Sequence, residues 1–130
     1  MTAGSQAGRR YVLAVEDSAS GVDALEAALA GIQNILFRIV GSAEEALAEL
    51  EQNPVAALIT DINLPRLSGL DLIERLRHGD GRRFPILVVS GDPDPALPGR
   101  AQGAGADAFF LKPYSPAAVR RKLEELLHDS

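Results

Sequence analysis

A chain of 130 residues with 46% apolar and 24% charged side chains has the length and mix of one globular domain. Its 18 acidic and 13 basic residues give a net charge of −5, with no Lys/Arg-rich stripe, which excludes nucleic acid or an anionic membrane surface as the main partner. The absence of Cys excludes disulfides and thiolate chemistry, and no apolar run approaches the roughly 18 residues of a membrane span.

Residues 1–9 begin small and polar and include no secretory apolar stretch, so they are expected to be a disordered segment of a cytoplasmic protein. Tyr11–Val15 is short and continuously apolar apart from its Tyr, the pattern of a parallel strand covered on both faces, and it runs into Glu16-Asp17. A helix follows with Val22, Leu25 and Leu29 on one face, and Gly31 stops it as a residue suited to a left-handed C′ position. Ile35–Val40 is a second strand, which Arg38 assigns to a place near an edge. Ser42-Ala43-Glu44-Glu45 has the spacing of a reciprocal cap, opening a helix that ends before Pro54. Val55–Thr60 is the third strand and delivers Asp61; a helix over about 68–78 then turns Leu72, Ile73 and Leu76 inward. Ile86–Val89 delivers Ser90. Beyond it, Pro93, Pro95 and Pro98 stand where a fourth helix should start, which predicts an irregular entry and about two turns reaching Gln102, closed by Gly103-Ala104-Gly105. Ala108–Leu111 is the fifth strand and leads to Lys112. Ser115-Pro116 caps a last helix that buries Val119, Leu123, Leu126 and Leu127. His78 and His128 fall near helix ends, where a cation suits the dipole, and are read as structural. This alternation of strand and helix predicts an α/β domain: one parallel sheet, right-handed crossovers and helices on both faces.

The polar residues that interrupt the apolar runs fall at the C-terminal ends of four strands, the rim where open α/β sheets bind ligands. If Glu16, Asp17 and Asp61 lie about 5 Å apart, each pair repels by roughly 3 kcal/mol at an effective dielectric of 20. Three such pairs approach the whole stability of a small domain, about 5–15 kcal/mol, so a cation must sit close by. Lys112 supplies one fixed charge, and an all-oxygen acidic set is the kind preferred by Mg²⁺. Together with the Ser90 hydroxyl these groups make a phosphoryl site. Asp61 is its natural nucleophile, since a carboxylate accepts a phosphoryl group as an acyl phosphate.

At these residues the chain resembles the receiver domain of two-component response regulators, over about Arg10 to Leu127. Leu13-Ala14-Val15-Glu16-Asp17-Ser18 is similar to the family's acidic-pair strand, and the run from Leu58 to Gly69 to its phosphoacceptor strand and loop. Val88-Val89-Ser90-Gly91 and Phe109-Phe110-Leu111-Lys112-Pro113 resemble the switch hydroxyl and the Lys-Pro turn. The separations from Asp17 to Asp61, Asp61 to Ser90 and Ser90 to Lys112, at 44, 29 and 22 residues, are also like those of the family. The resemblance implies a receiver domain over residues 10–128 with a flavodoxin-like doubly wound (βα)5 sandwich and strand order 2-1-3-4-5. It implies that Asp61 accepts phosphate from a phosphohistidine on a sensor histidine kinase or histidine phosphotransfer protein, and that the response passes to a downstream protein target. Glu16, Asp17, Asp61 and the backbone carbonyl of Asn63 would hold Mg²⁺ or Mn²⁺. Ser90 would bond a phosphoryl oxygen, Lys112 would pair with the phosphate, Phe109 would change rotamer, and Lys112–Pro113 would be cis.

Several positions depart from the family pattern. Glu16 adds a methylene to the frequent Asp, Ser90 lacks the methyl of Thr, Phe109 lacks a Tyr hydroxyl, and the triple-proline segment is peculiar to this chain's fourth helix. Asn63 and Asp92, two residues beyond Asp61 and Ser90, are expected to flank the path of a hydrolysing water. Three other readings stand beside a single-domain regulator. One is a fragment of a hybrid kinase or transcriptional regulator. Another is an aspartyl-phosphate phosphatase of the haloacid-dehalogenase kind, which wants Asp where this chain has Asn63. The last is a receiver-like scaffold that never needs phosphate.

Overall fold

The computed structural model describes residues 9–79 and 83–129. Ten elements alternate as the apolar pattern predicts: β1 (Arg10–Val15), α1 (Ala19–Leu29), β2 (Ile35–Val40), α2 (Ala43–Gln52), β3 (Ala57–Asp61), α3 (Gly69–Arg77), β4 (Ile86–Ser90), α4 (Leu97–Ala104), β5 (Ala108–Leu111) and α5 (Pro116–Asp129). All five strands are parallel, in the order β2-β1-β3-β4-β5. This is the flavodoxin-like sandwich that the resemblance implies. The expected disordered segment lies outside the described residues except for Arg9, which is exposed and irregular.

Two apolar clusters fill the two faces of the sheet, because alternate side chains of a strand point to opposite sides. Val12, Ala14, Ala57, Ile59, Leu87 and Val89 meet Leu25 and Leu29 of α1 and Val119 and Leu123 of α5. On the other face Leu13, Val15, Leu58, Ile86 and Val88 meet Ala46 and Leu50 of α2, Leu72 and Ile73 of α3, and Leu97 of α4. β1, β3 and β4 are therefore walled in on both sides. β5, expected to be equally covered, is only half-buried and ends on an exposed Leu111, because it forms one edge of the sheet. Arg38 does lie on the opposite edge, in β2, where it pairs with Glu49 of α2.

Local expectations need several corrections. β3 begins at Ala57, two residues later than expected, and takes in Asp61 itself. Gly31 is not in the left-handed region. α1 ends instead under Arg120 of α5, whose guanidinium donates to the carbonyls of Ala28 and Ala27, and a Cβ on Gly31 would meet that guanidinium at 2.3 Å. Ser42 caps α2 by accepting from Glu45 N–H, but the Glu45 carboxylate returns to Gly41 N–H rather than closing the reciprocal box. The complete box belongs to α3, between Ser68 and Asp71. Val22, Leu76 and Leu126 are half-buried rather than enclosed, since each lies at the margin of its helix's inward stripe.

α4 enters irregularly, as the prolines require. Asp92 Oδ1 accepts from Asp94 N–H and Asp94 Oδ1 from Ala96 N–H, so two successive Asx turns replace a side-chain cap. The helix runs two residues further than expected, to Ala104, and Gly105 closes it at φ 121°. Gly99 and Gly103 lie within α4 with open space where a Cβ would stand.

One side chain fastens α3 to the sheet. Arg77 donates to Gly105 O through Nε (3.0 Å) and Nη2 (2.8 Å), to Phe84 O through Nη1 (2.9 Å) and to Asp107 Oδ2 (3.0 Å). Asp107 Oδ2 also accepts from Ile86 N–H at 2.8 Å. A guanidinium can serve three acceptors in one plane and an ammonium cannot. Arg77→Lys is therefore expected to cost about 1–2 kcal/mol in urea unfolding, with partial compensation at most. A midpoint equal to that of the parent chain would refute this role.

Candidate functional site

Parallel order brings the C-terminal ends of β1, β3, β4 and β5 to one rim, and the sequence-predicted residues gather there. Glu16 follows β1 directly and extends its ladder by donating N–H to Val40 O. Glu16 is buried, at 2% exposure, as is Asp61 at 6%, while Asp17 is exposed. One carboxylate oxygen from each of Glu16, Asp17 and Asp61 lies within 4.8 Å of the others. Lys112 spans two of them: Nζ is 2.7 Å from Glu16 Oε1 and 2.6 Å from Asp61 Oδ2.

The electrostatics follow from this placement. Burial pushes the Asp61 carboxyl up from its ordinary range; the Lys112 bond and charge oppose that shift, and the nearby Glu16 charge adds to it. For Lys112 burial alone would lower the ammonium, but the bonds to Asp61 and Glu16 outweigh it and hold the group above its usual value. Lys112 is thus a fixed positive charge at neutral pH. Asp61 Oδ1 accepts from Asn63 N–H at 3.2 Å, which orients the carboxylate across the first turn of the β3–α3 loop.

Ser90 ends β4, one residue past the partner of Asp61 in the register, and is fully buried. Its Oγ accepts from Asp92 N–H at 3.1 Å. Phe109 is half-buried on β5 and packs against the α2–α4 side of the core, beside a cleft of about 270 Å³ that Pro98, Gly99 and Gln102 of α4 also line. Phe110 points to the opposite face, so both phenylalanines belong in part to the core. Lys112–Pro113 is cis. Asn63 is exposed and Asp92 half-buried, each two residues beyond its strand end.

Three contributors are invisible in a linear reading. Gly69, at the start of α3, packs on the backbone of Asp61, and a Cβ there would fall 2.0 Å from Asp61 O. Gly21 lies against the Glu16 carboxyl in the same manner. Glu44 reaches from α2 to the β3–α3 loop, accepting from Leu67 N–H at 3.4 Å and lying 3.6 Å from Arg66 Nε, where Arg66 holds φ 64°. Only the folded neighbours reveal these roles; nothing in the local pattern of Gly69 or Gly21 distinguishes them from ordinary helix-start glycines.

Chemically the rim offers a buried carboxylate held by an ammonium, two further carboxylates and a buried hydroxyl. Among the described residues no helix is long and apolar enough to cross a membrane.

Comparison with known proteins agrees with this arrangement. Residues 12–124 match the family model for the response regulator receiver domain. The two-component response regulator ORR11 of Oryza sativa subsp. indica is 33% identical over 122 residues, covering 90% of this chain and 80% of that protein. The two-component response regulator PhoP of Pseudomonas aeruginosa is 36% identical over 102 residues, which cover 77% of this chain and 44% of PhoP, so the chain spans less than half of that relative. A crystal structure of a putative response regulator from Chloroflexus aurantiacus superimposes with a TM-score of 0.85 at 29% identity, covering 92% of this chain and 98% of that one. With its order of five parallel strands, its acidic rim around Asp61 and its match over residues 12–124, the chain belongs to the response regulator receiver domain family.

Proposed function

We propose that Asp61 is the phosphoacceptor of a two-component or phosphorelay system. The observation that carries this reading is the Asp61 carboxylate itself: buried at a strand end, held by Lys112 on one oxygen and by Asn63 N–H on the other. In the transfer an Asp61 oxygen attacks the phosphorus of a phosphohistidine. The P–N bond breaks, the imidazole leaves with that electron pair, and Asp61 becomes an acyl phosphate. Lys112, already charged, is placed to pair with the added phosphoryl oxygens once Asp61 Oδ2 is no longer its sole partner at that strand end. Ser90 Oγ accepts from Asp92 N–H and keeps its own O–H to donate to a phosphoryl oxygen, and Phe109 has the adjoining cleft available to it.

The donor set is all oxygen and clustered, which fits Mg²⁺ or Mn²⁺. Asp17, Asp61, Glu16 and the Asn63 backbone carbonyl are the groups that would hold it. When bound, such an ion supplies charge neutralisation at the phosphoryl oxygens. The donor is a histidine kinase or histidine phosphotransfer protein, and the phosphorylated surface signals by binding another protein. As a signalling domain it acts on its own Asp61 rather than turning over a small-molecule substrate.

Incubation with acetyl phosphate and Mg²⁺ tests the assignment by intact mass. A gain of one phosphoryl group, lost in Asp61→Asn, is expected. No gain, or a gain that persists in Asp61→Asn, would overturn it.

A further inference from the structure

The Glu16 carboxyl is held through both of its oxygens. Oε2 accepts from Ser18 N–H at 3.2 Å and Ser18 Oγ at 3.1 Å, and Oε1 accepts from Lys112 Nζ at 2.7 Å. Ser18 Oγ also accepts from Gly21 N–H at 3.1 Å, so the residue that caps α1 is the one that grips Glu16. Gly21 lies directly against the carboxyl as well. A Cβ on it would lie 2.2 Å from Glu16 Cδ, 2.3 Å from Oε1 and 2.7 Å from Cγ.

Within a helix glycine is a poorer former than alanine, and Gly21 is the third residue of α1. Gly21 does not use glycine's conformational freedom, for its φ is not in the left-handed region. Its value lies in the missing atom, which leaves the volume that the carboxyl of Glu16 fills. A carboxylate one methylene shorter would stop before that volume. We propose that Gly21 and Ser18 are positioning residues matched to a glutamate at position 16: they fix its carboxylate where it holds Lys112 beside Asp61.

This inference rests on the phosphoacceptor reading for its functional consequence, yet its core is testable without it. The atoms that a Cβ at position 21 would strike all belong to the Glu16 side chain and none to backbone, so Gly21→Ala is expected to fold and to evict the Glu16 carboxyl. Shortening that side chain removes the conflict. Thermal unfolding in EDTA is measured for the parent chain, Gly21→Ala, Glu16→Asp and the double variant. Gly21→Ala is expected to lower the midpoint by about 3 °C in the parent background and to raise it by a similar amount in the Glu16→Asp background, where only helix propensity remains. The rate of acetyl phosphate labelling should fall roughly tenfold in Gly21→Ala through displacement of Lys112 and recover in the double variant to the level of Glu16→Asp. Equal midpoint shifts in both backgrounds, or unimpaired labelling of Gly21→Ala, would overturn the pairing. If the parent chain is not labelled, the phosphoacceptor assignment fails, while the midpoints still decide the match of Gly21 to Glu16.

Discussion

Gly69→Ala is expected to lose about 3 kcal/mol of stability and to label slowly at Asp61. The added methyl would sit 2.0 Å from Asp61 O and 2.9 Å from Asp61 C and Ile62 Cα. These are backbone atoms, which cannot swing aside as a side chain does. Retreat of α3 is also resisted, because Gly69 N–H donates to Ile62 O at 2.8 Å and the Ser68–Asp71 box fixes the first turn. The strain therefore falls on the peptide that carries the Asp61 side chain. Urea unfolding measures the loss, and initial rates of acetyl phosphate labelling report whether Asp61 has moved. A variant with the parent's midpoint would show that the strand and helix ends are not pressed together as described.

Lys112→Ala should be destabilising by about 3 kcal/mol at neutral pH without divalent cations, since it leaves Glu16 and Asp61 buried beside each other without their shared ammonium. The deficit has a definite sign with pH. Asp61 already sits above the ordinary carboxylate range through burial, and loss of Lys112 pushes it higher. The folded variant then binds a proton that the unfolded chain, at its normal value, has not yet taken up. Its stability relative to the parent rises as the pH falls below neutral and is lowest once Asp61 is fully ionised. Urea midpoints at pH 7 and pH 5 in EDTA measure the difference; a deficit independent of pH would mean that Lys112 acts by packing alone.

Most of the architecture was legible because each strand carries its own signal. Runs such as Val55–Thr60 and Ile86–Val89 are nearly continuous in apolar residues, and their polar successors mark the rim. Asp61, Ser90 and Lys112 stand where that argument puts them, and the crowding of Glu16, Asp17 and Asp61 follows from parallel order alone. What stayed hidden depends on neighbours distant in the chain. Gly31 resembles a helix terminator, yet its smallness admits Arg120 from 89 positions onward. Gly21 and Gly69 carry no mark of their own in the sequence, and only the folded chain shows what stands above them. Arg77 gives no sign in a linear reading that it serves Phe84, Gly105 and Asp107 together, because those acceptors converge only after β4 and β5 pair. Spacing reveals which groups share an edge; it does not reveal where an atom must be missing.

The contrast between α3 and α4 has a mechanical meaning. α3 is riveted by the Arg77 fork at one end and pressed on Asp61 at the other, whereas α4 lacks a side-chain cap and holds two glycines that no neighbour requires. The sheet is thus fastened more heavily through α3 than through α4. Fewer fastenings therefore stand between the β4 end and α4 than between it and α3, which is the side on which a displacement of Ser90 would break the fewest contacts.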